Sequence, residues 1–374
     1  MKRLVLIILL FSSFLSIAQV GGNSTYQFLN IPVSSRAGAL GGTAIATKDN
    51  DPALSFSNPS LLDSSMTGML SFSYLNYFAD INYGFFSYVR DFKKIGTFSA
   101  GINYIDYGDF KETDAGGNEL GNFSAGEYAL VIGWGKEIDS LFSVGANLKT
   151  IYSSLYDYSS VGVAVDLSGT YYNPKSEVTV AALIKNIGTQ MKPYVDGGEK
   201  EPLPFEIQMG VSKKLKHVPL RLSLNLVHLE TWNLAYNDST IATNTNEDLD
   251  DLEKSERNKT GFFSEAFRHM VIGAEFVPSK SFNVRFGYNF KRRSELALDD
   301  RPGLVGFSWG FGFRVKTFYV SYGSARYHLA GSSNHFTIST NLNSFKKGAM
   351  PVREKPKKEK KPKKEKKAKK KKDE

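Results

Sequence analysis

The sequence predicts an all-β protein, an antiparallel transmembrane β-barrel of about 14 strands with a plug in its lumen and a disordered, Lys-rich C-terminal tail. Three observations lead to this fold class. Segments in which apolar and polar residues alternate recur along the chain, and a period of two indicates strands. The connections between these segments alternate between short turns and mostly longer loops, which is typical of a meandering outer-membrane barrel. A stretch rich in small residues precedes the first strand.

Composition narrows the classes of function. The 374 residues include 33 Gly, 19 Tyr and 27 Phe, which favours strands and tight turns, and no Cys, so we expect no disulfide, thiolate chemistry or cysteine zinc site. The net charge of +9 comes from residues 346–374, which carry 16 Lys and Arg against 5 Asp and Glu and so exceed it by themselves. The rest of the chain is mildly acidic once Lys2 and Arg3 are set aside, so no nucleic acid is expected as a partner.

Residues 1–18 are expected to be a secretory signal peptide. Two cations precede an apolar run from Leu4 to Leu15, and small residues follow before Gln19. A membrane-spanning helix needs about 20 apolar residues, and no later segment offers them. We therefore expect an exported protein that sits in the outer membrane through its barrel and has the lipid of that membrane as a partner.

Residues 19–65 are expected to form an N-terminal segment and a hatch inside the barrel. Small residues within Ser35–Leu62 let the backbone pass close to other structure, and Asp-Pro and Asn-Pro steps fix turns. Apolar Leu54, Phe56 and Leu61 suit a compact plug, whereas a surface linker is the alternative that composition leaves open. The predicted hatch residues are Gly38, Gly41, Gly42, Asp51, Pro52, Asn58 and Pro59.

Residues 66–345 are expected to be the barrel, because each predicted strand reaches the length of about 9 to 11 residues that a tilted strand needs to cross a bilayer. In residues 304–316, bulky apolar side chains alternate with Gly, Ser and Arg. A soluble β-sandwich or propeller is the alternative. The predicted strands are 66–78, 82–92, 96–107, 123–136, 142–154, 160–172, 177–187, 204–215, 220–230, 267–277, 281–291, 304–316, 317–326 and 334–342.

The polar positions of these strands predict a polar lumen. Arg221, Arg285 and Arg314 occupy such positions, so we expect them to face the lumen, either meeting polar groups of the plug or serving as ordinary wall charges. An even number of strands returns both ends of the barrel to one side, which we expect to be the periplasm. On this interpretation the plug lies at the mouth from which it enters the lumen.

Loops on the opposite side are expected to carry contacts with a partner protein, since recognition on a rigid barrel usually resides in loops. The longer ones are predicted at 108–122, 188–203 and 231–266. Their aromatic side chains are the candidate contact residues Tyr194, Trp232 and Tyr236. The third loop clusters Asp and Glu, and a calcium site is one interpretation. Because the spacing lacks the central Gly of an EF-hand loop, a solvated acidic loop is favoured.

Residues 346–374 are rich in Lys and have too few apolar side chains to form a core, so we expect a disordered tail. Two interpretations stay open for it. The tail either binds an anionic partner in the periplasm or is only a solvated extension.

The sequence nominates no catalytic, cofactor or metal site. The histidines are scattered, and none pairs at metal-ligand spacing. A nucleophile elbow, a P-loop and a dinucleotide fingerprint are all absent from the sequence. We therefore expect no enzyme and no cofactor, although an outer-membrane hydrolase that assembles Ser and His from separate strands stays open as an alternative.

The stretch SRAGALGGTAIATKDNDPALSFSNPSLL resembles the N-terminal hatch of the FadL superfamily of outer-membrane barrels, in which small residues precede a DPA and an NPA motif. Asp51, Pro52, Asn58 and Pro59 match that pattern, while Ser60 stands where it often has Ala. Within the superfamily, RPGLVGFSWGFGFRVKTFYVSYGSARYHLAGSSNHFTISTNL resembles the PorV/PorQ group of type IX secretion proteins of Bacteroidetes, and the closing strands favour the PorQ type. The tail is not part of this resemblance.

The resemblance implies two functions from different classes. PorQ-type proteins imply an assembly platform, a barrel that anchors a surface partner of the cargo attachment complex of the type IX secretion system. FadL-like proteins imply a transporter of hydrophobic small molecules. The predicted lining of Arg, Asn, Ser and Gly favours the platform, because a hydrophobic solute needs an apolar path.

Overall fold

A closed antiparallel barrel of 14 strands makes up most of the structure. Each strand pairs with its neighbours in sequence, and β1 closes onto β14. The predicted barrel with a plug in its lumen is confirmed. The computed structural model describes residues 24–78, 81–234, 261–279, 281–297, 303–328 and 331–345. The predicted signal peptide and the Lys-rich tail lie outside these residues.

The strands follow one another around the barrel in chain order. Their bounds are Met69–Asn76 (β1), Asn82–Asp91 (β2), Thr97–Thr113 (β3), Glu119–Glu137 (β4), Phe142–Leu155 (β5), Tyr158–Asn173 (β6), Val178–Lys192 (β7), Glu206–Lys214 (β8), Leu220–Leu226 (β9), Met270–Ser279 (β10), Phe282–Asn289 (β11), Phe307–Val315 (β12), Phe318–His328 (β13) and Gly331–Asn341 (β14).

Alternation along each strand separates an apolar outer face from an inner face. In β1 the outward side chains of Phe72 and Tyr74 are 52% and 40% exposed, whereas the inward side chains of Ser71 and Ser73 are buried. Exposed Phe, Trp, Leu and Ile side chains recur on the outward face of the other strands. A belt of this kind is stable only when lipid or another apolar surface covers it.

The two ends of the barrel differ in their connections. We call the end with the connections 92–96, 138–141, 174–177, 215–219, 280–281 and 316–317 the short-turn end. The barrel wall begins and ends there, at Met69 and Asn341, which pair with each other. At the opposite, long-loop end, three connections are longer than any of these: residues 193–205, 227–269 and 290–306. The alternation of loop lengths is therefore less strict than the sequence predicts.

The predicted loop at 108–122 is wrong, because β3 and β4 continue as a projecting two-stranded ribbon. Their pairing runs on to Thr113 and Glu119, with an irregularity between Asp106 and Asp109. The rings of Phe110 and Phe123 stack across the ribbon with centroids 5.2 Å apart. Cross-strand aromatic pairs stabilise antiparallel pairing without a second sheet, so the ribbon extends beyond the ends of neighbouring strands.

Short helices replace several predicted strand ends. Residue 267, predicted to begin a strand, lies in a helix. The last residues of the strand predicted at 281–291 begin another helix. This helix starts there because the Asn289 side chain accepts a hydrogen bond from the Arg292 backbone N–H at 2.9 Å. The helices are Ser35–Ala39 (α1), Pro52–Ser57 (α2), Phe262–Arg268 (α3) and Phe290–Leu296 (α4). In the described ranges, no helix is long and apolar enough to cross a membrane.

Residues 24–67, which we call the plug, fill the lumen. Their largest apolar contact is with the wall formed by the first six strands, where Phe28 and Phe56 of the plug pack with Phe85 and Ile151 of the wall. The rings of Phe56 and Phe85 meet edge to face with centroids 4.6 Å apart. The sequence predicts a polar lumen. That prediction is only partly right, because part of the wall forms a hydrophobic core with the plug.

Candidate functional site

The plug is held in shape by turns that its own sequence specifies. The Ser34 hydroxyl accepts a hydrogen bond from the Ala37 backbone N–H at 3.0 Å and so caps α1. The Asp51 carboxylate accepts from the backbone N–H of Ala53 at 3.1 Å and caps α2, with Pro52 at the first helical position. Asn58 caps the next turn in the same way.

Small residues let the plug lie directly against the wall. Gly41 and Gly42 adopt φ of 94° and 111°, a conformation that side chains other than Gly rarely take. On the wall, a Cβ at Gly287 of β11 would lie 2.3 Å from the backbone N of Gly41. A Cβ at Gly38 would lie 2.9 Å from the His335 ring of β14. Gly41 therefore lies where plug and wall backbones approach closely, whereas Gly38 and Gly42 lie against the side chains of His335 and Arg292.

A buried group of charges joins the plug to the strands on the far side of the lumen. Arg36 of α1 donates to both oxygens of Glu275 in β10, each at 2.8 Å. Arg221 of β9 donates to both oxygens of Asp49 in the plug, at 2.6 and 2.9 Å, and to Glu275 at 2.9 Å. Arg285 of β11 donates to Glu275 at 2.9 Å and is 1% exposed. We call these five residues the charge lock.

The positive and negative charges in and around the charge lock balance, and its Arg36 and Asp49 side chains stay ionised. Asp51 lies 3.5 Å from Arg36, so three guanidinium groups face three carboxylates. Burial alone would raise the pKa of the Asp49 carboxyl, but Arg36 and Arg221 lower it below its ordinary value. Burial would likewise lower the pKa of Arg36, whereas Glu275 and Asp49 raise it well above its ordinary value. The arrangement fixes the plug and offers no group for proton transfer.

The two ends of the plug are attached at opposite ends of the barrel. At the long-loop end, the Thr25 backbone N–H donates to the Pro202 carbonyl at 3.0 Å, and the Tyr26 and Ser160 hydroxyls form a hydrogen bond. At the short-turn end, the Asn341 side chain donates to the Thr67 carbonyl at 3.1 Å. The sequence placed both chain ends at the short-turn side. That placement is wrong for residues 24–31, because the plug runs the whole length of the lumen.

A cavity of about 190 Å³ remains between the plug and the wall. Leu29, Ile31 and Val33 of the plug form part of its apolar lining. Charged wall residues also reach it, but they are paired with one another. Lys149 lies 2.8 Å from Asp166, and the Lys185 side chain lies 3.3 Å from Glu206. The cavity thus combines apolar and ion-paired surface, and its volume is below the roughly 300 Å³ at which ligand pockets usually begin.

The residues predicted to face the lumen have different surroundings. Arg221 and Arg285 belong to the charge lock. Arg314 lies at the short-turn end, where it is exposed and stands over the Tyr319 ring, 5.7 Å from the ring centroid. It makes no hydrogen bond or ion pair with the described part of the plug, so only two of the three predicted arginines take part in holding it.

The sequence reasoning missed the acidic partners of these arginines. Glu275 lies opposite Arg221 in one neighbouring strand and opposite Arg285 in the other. Its position within the strand was a usable signal, since Glu275 shares the inward parity of Val271 and Gly273. The pairing itself follows from the registers of three strands, which the sequence does not specify.

The candidate contact residues lie apart at the long-loop end. The Tyr194 hydroxyl donates to the Ser153 hydroxyl at 2.7 Å, so this side chain is tied to the barrel wall. Trp232 is 53% exposed and stacks on Phe262 of α3, with ring centroids 5.0 Å apart. Tyr236 lies outside the described residues. Of the two described, Trp232 is the one that offers its ring to a partner.

The described side chains include no group of three or more His, Asp and Glu that could hold a metal ion. The charge lock pairs arginines and carboxylates of the plug and the wall with one another. This arrangement holds the plug in the barrel.

Comparison with known proteins finds likeness only among solved structures. No protein-family profile matches the chain, and no curated protein matches it. The toluene transporter TodX of Pseudomonas putida is 12% identical over 83% of this chain and 96% of its own, with a TM-score of 0.46. A FadL homologue of Pseudomonas aeruginosa is 8% identical over 83% and 98%, with a TM-score of 0.43. The monoaromatic hydrocarbon channel CymD is 14% identical over 83% and 96%, with a TM-score of 0.41. Likeness at this level does not assign the chain to a family.

Proposed function

We propose that this chain is an outer-membrane protein of the PorQ type, which anchors a surface partner of the type IX secretion machinery and neither catalyses a reaction nor conducts a solute. The observation that carries the proposal is the plug. It is attached at both ends of the barrel, and the charge lock ties it to β9, β10 and β11. A barrel filled in this way is suited to hold something at its rim.

Opening the lumen would separate buried charges. Removing one partner from a buried ion pair costs about 3 to 5 kcal/mol, because the other charge is left without compensation. Displacing the plug would take Arg36, Asp49 and Asp51 away together. The wall would keep Arg221 and the buried Arg285 against Glu275 alone, so one guanidinium would be left without a carboxylate. Displacing the plug also separates Phe56 from Phe85. The plug is therefore fixed inside the barrel and does not act as a gate.

The long-loop end supplies the surface on which a partner protein would rest. The ribbon of β3 and β4 projects there. The stacked pair of Trp232 and Phe262, with the exposed Phe263, lies on another part of the rim, in the connection between β9 and β10. Buried aromatic side chains dominate protein interfaces, and a standard interface needs about 800 Å² on each partner. In this proposal the partner covers Trp232 and leaves the short-turn end free.

A transporter of hydrophobic small molecules is the second candidate. The cavity beside Leu29 and Ile31 and the hydrophobic core between plug and wall favour it. Two features weigh against it: the cavity is small, and ion pairs such as Lys149 with Asp166 form part of its lining. A hydrophobic solute would have to displace the plug and pass these charges.

The test is to delete the gene and measure which proteins remain on the cell surface. Loss of a specific partner from the outer membrane, with secreted cargo mislocalised, is expected. Complementation with Trp232→Ala should restore the barrel but reduce retention of the partner, since truncating an interface Trp costs at least about 2 kcal/mol, or roughly 30-fold in affinity. The matched control is Ile138→Ala, an exposed apolar residue at the short-turn end, which should complement fully.

A different result would favour the second candidate. Unchanged surface proteins, together with lost uptake of a hydrophobic solute, would assign the chain to transport. The purified protein in a planar bilayer gives an independent measurement, because a fixed plug predicts no steady ion current.

A further inference from the structure

The short-turn end carries a collar of cations without acidic partners. These side chains are exposed at the ends of the strands and in the turns that join them, and none forms an ion pair with a described residue. We call them the basic collar: Arg90, Lys93, Lys94, Lys136, Lys175, Lys213, Lys216 and Lys316.

Most acidic groups at the same end are occupied within the fold. The Asp91 carboxylate accepts from the Thr97 hydroxyl at 2.9 Å and from the Lys93 backbone N–H at 3.0 Å. Asp139 accepts from two backbone N–H groups of its own turn, both at 2.7 Å. Glu137 pairs with Lys48 of the plug at 2.9 Å. None of these carboxylates forms an ion pair with a collar cation.

Several collar cations stand next to side chains of the apolar belt. The guanidinium of Arg90 lies over the Phe92 ring, 5.4 Å from its centroid. Lys136 is two residues beyond Trp134 on the outward face of β4, and the Trp134 indole N–H donates to the Ile95 carbonyl at 3.1 Å. Trp and Tyr in this position mark the boundary between hydrocarbon and headgroups. Cations just beyond them lie at the depth of the headgroups.

The chain adds more cations at this end. The wall ends at Asn341, and the turn Leu342–Phe345 that follows is anchored at the short-turn end, since the Leu342 backbone N–H donates to the Gly68 carbonyl at 2.8 Å. Lys346 and Lys347 follow directly, and residues 346–374 contain 16 Lys and Arg against 5 Asp and Glu. The tail thus starts beside the basic collar with the same sign of charge.

We propose that the basic collar binds the headgroups of anionic phospholipids in the leaflet on the short-turn side, and that the Lys-rich tail strengthens this contact. The proposal rests on the barrel lying in a bilayer and is independent of any secretion partner. Clustered Lys and Arg beside a membrane-spanning segment attract anionic lipid. Because the collar rings the outside of the strands, lipid is the partner that reaches it in every orientation of the barrel.

The long-loop end should show no such preference. Its projecting ribbon and loops expose Asp109, Asp157 and Glu199, none of which forms an ion pair with a described residue. Anionic headgroups are repelled by these carboxylates. The two ends of one molecule therefore provide a test and its internal control.

The native tryptophans allow each end to be measured separately. Trp134 reports on lipid near the collar, and the outward Trp309 of β12 reports on lipid nearer the long-loop end. Two variants of the full chain each keep one tryptophan. The first carries Trp232→Phe and Trp309→Phe and keeps Trp134. The second carries Trp134→Phe and Trp232→Phe and keeps Trp309. Each is reconstituted in vesicles, and quenching by brominated phosphatidylglycerol is compared with quenching by brominated phosphatidylcholine.

The expected result is a preference of about threefold for phosphatidylglycerol at Trp134 and none at Trp309, with the preference lost in 1 M salt, where the screening length falls to about 3 Å. Lys94→Gln with Lys136→Gln should remove most of the preference. The matched control, Lys192→Gln with Lys200→Gln at the long-loop end, should leave it intact. Truncation after Phe345 should weaken it in part.

Two results would overturn the proposal. Equal quenching by both lipids at Trp134 would show that the collar does not select anionic headgroups. If the protein then bound a soluble polyanion under the same conditions, the collar would be a binding site for an anionic polymer instead of lipid. A preference that survives Lys94→Gln with Lys136→Gln would place its origin elsewhere. Gel mobility that shifts on heating verifies that each variant is a folded barrel.

Discussion

Arg36 is the residue on which the attachment of the plug depends most. Its guanidinium reaches Glu275 of the wall with two hydrogen bonds and also contacts Asp49 and Asp51 within the plug. One side chain therefore fixes both the internal fold of the plug and its position in the lumen. This double role explains why a buried arginine is kept there in spite of the cost of desolvating it.

Replacing Arg36 by Leu should destabilise the protein by about 3 to 5 kcal/mol, because Glu275 and Asp49 lose a buried partner. The measurement is urea unfolding in lipid vesicles, followed by gel mobility without heating. Arg314→Leu is the matched control, since Arg314 lies on the inward side but is exposed and forms no ion pair with a described residue. Equal stability of the two variants would contradict the role assigned to the charge lock.

Asp49 should make the attachment of the plug sensitive to acid. Its pKa is lowered from 3.8 in the folded protein, so its contribution to stability is fully present above the ordinary pKa and is lost as the pH falls through the lowered value. Below about pH 4 the wild type should lose stability relative to Asp49→Asn, which is less stable at pH 7 but lacks this titration. Parallel pH curves of the unfolding midpoint for the two proteins would exclude Asp49 as the titrating group.

At the scale of elements, the plug and the wall fit because glycines of β11 and β5 face the plug backbone. Gly145 of β5 would place a Cβ 2.3 Å from the Pro59 carbonyl carbon, and Gly287 of β11 would place one equally close to Leu40. No side chain separates the backbones at these points. A substitution there acts on the position of the whole plug and not on one contact.

Gly287→Ala should cost about 1 to 3 kcal/mol or more, since the added methyl group overlaps the plug backbone and forces it to move. Gly169→Ala is the matched control in β6, because the nearest atom to its Cβ would be the Ser143 carbonyl oxygen at 4.0 Å. Limited proteolysis should cut the plug faster in Gly287→Ala than in the control. If both variants are as resistant as the wild type, the close approach is not what fixes the plug.

At the scale of the whole molecule, the two ends of the barrel are chemically different surfaces. The short-turn end has the basic collar and small connections, whereas the long-loop end has an acidic ribbon, longer loops and exposed aromatics. The plug passes between these ends, so its first residues, near Thr25, lie at the opposite end from the start of the barrel wall at Met69. The plug thereby links the two ends of the barrel.

The orientation of the barrel can be measured directly, because the chain has no Cys of its own. With long loops outside, Asn118→Cys should react with a membrane-impermeant maleimide on intact cells, and Lys216→Cys should react only after the outer membrane is permeabilised. Gln27→Cys, near the start of the plug and exposed at the long-loop end, should label from outside although it precedes the first strand. External labelling of position 216 with protection of 118 and 27 would reverse the orientation.

The sequence by itself determined the barrel and the nature of the plug. Period-two alternation is a local property of the strand backbone, so segments such as 304–316 are recognisable from their residues alone. The turns at Asp51-Pro52 and Asn58-Pro59 are equally local, and both cap the elements that follow them. Strand ends were less certain, because pairing with a neighbour extends β3 and β4 and helix capping ends β11.

Only the tertiary structure decided how the plug is held and from which end it begins. The charge lock joins residues 36, 49, 221, 275 and 285, and their meeting depends on the registers of β9, β10 and β11 and on the path of the plug. A shift of register by one residue would turn Glu275 toward lipid. The position of Thr25 at the long-loop end likewise results from hydrogen bonds to residues far away in sequence. Local patterns specify strands and turns, but the choice of partners across the lumen is made when the barrel closes around the plug.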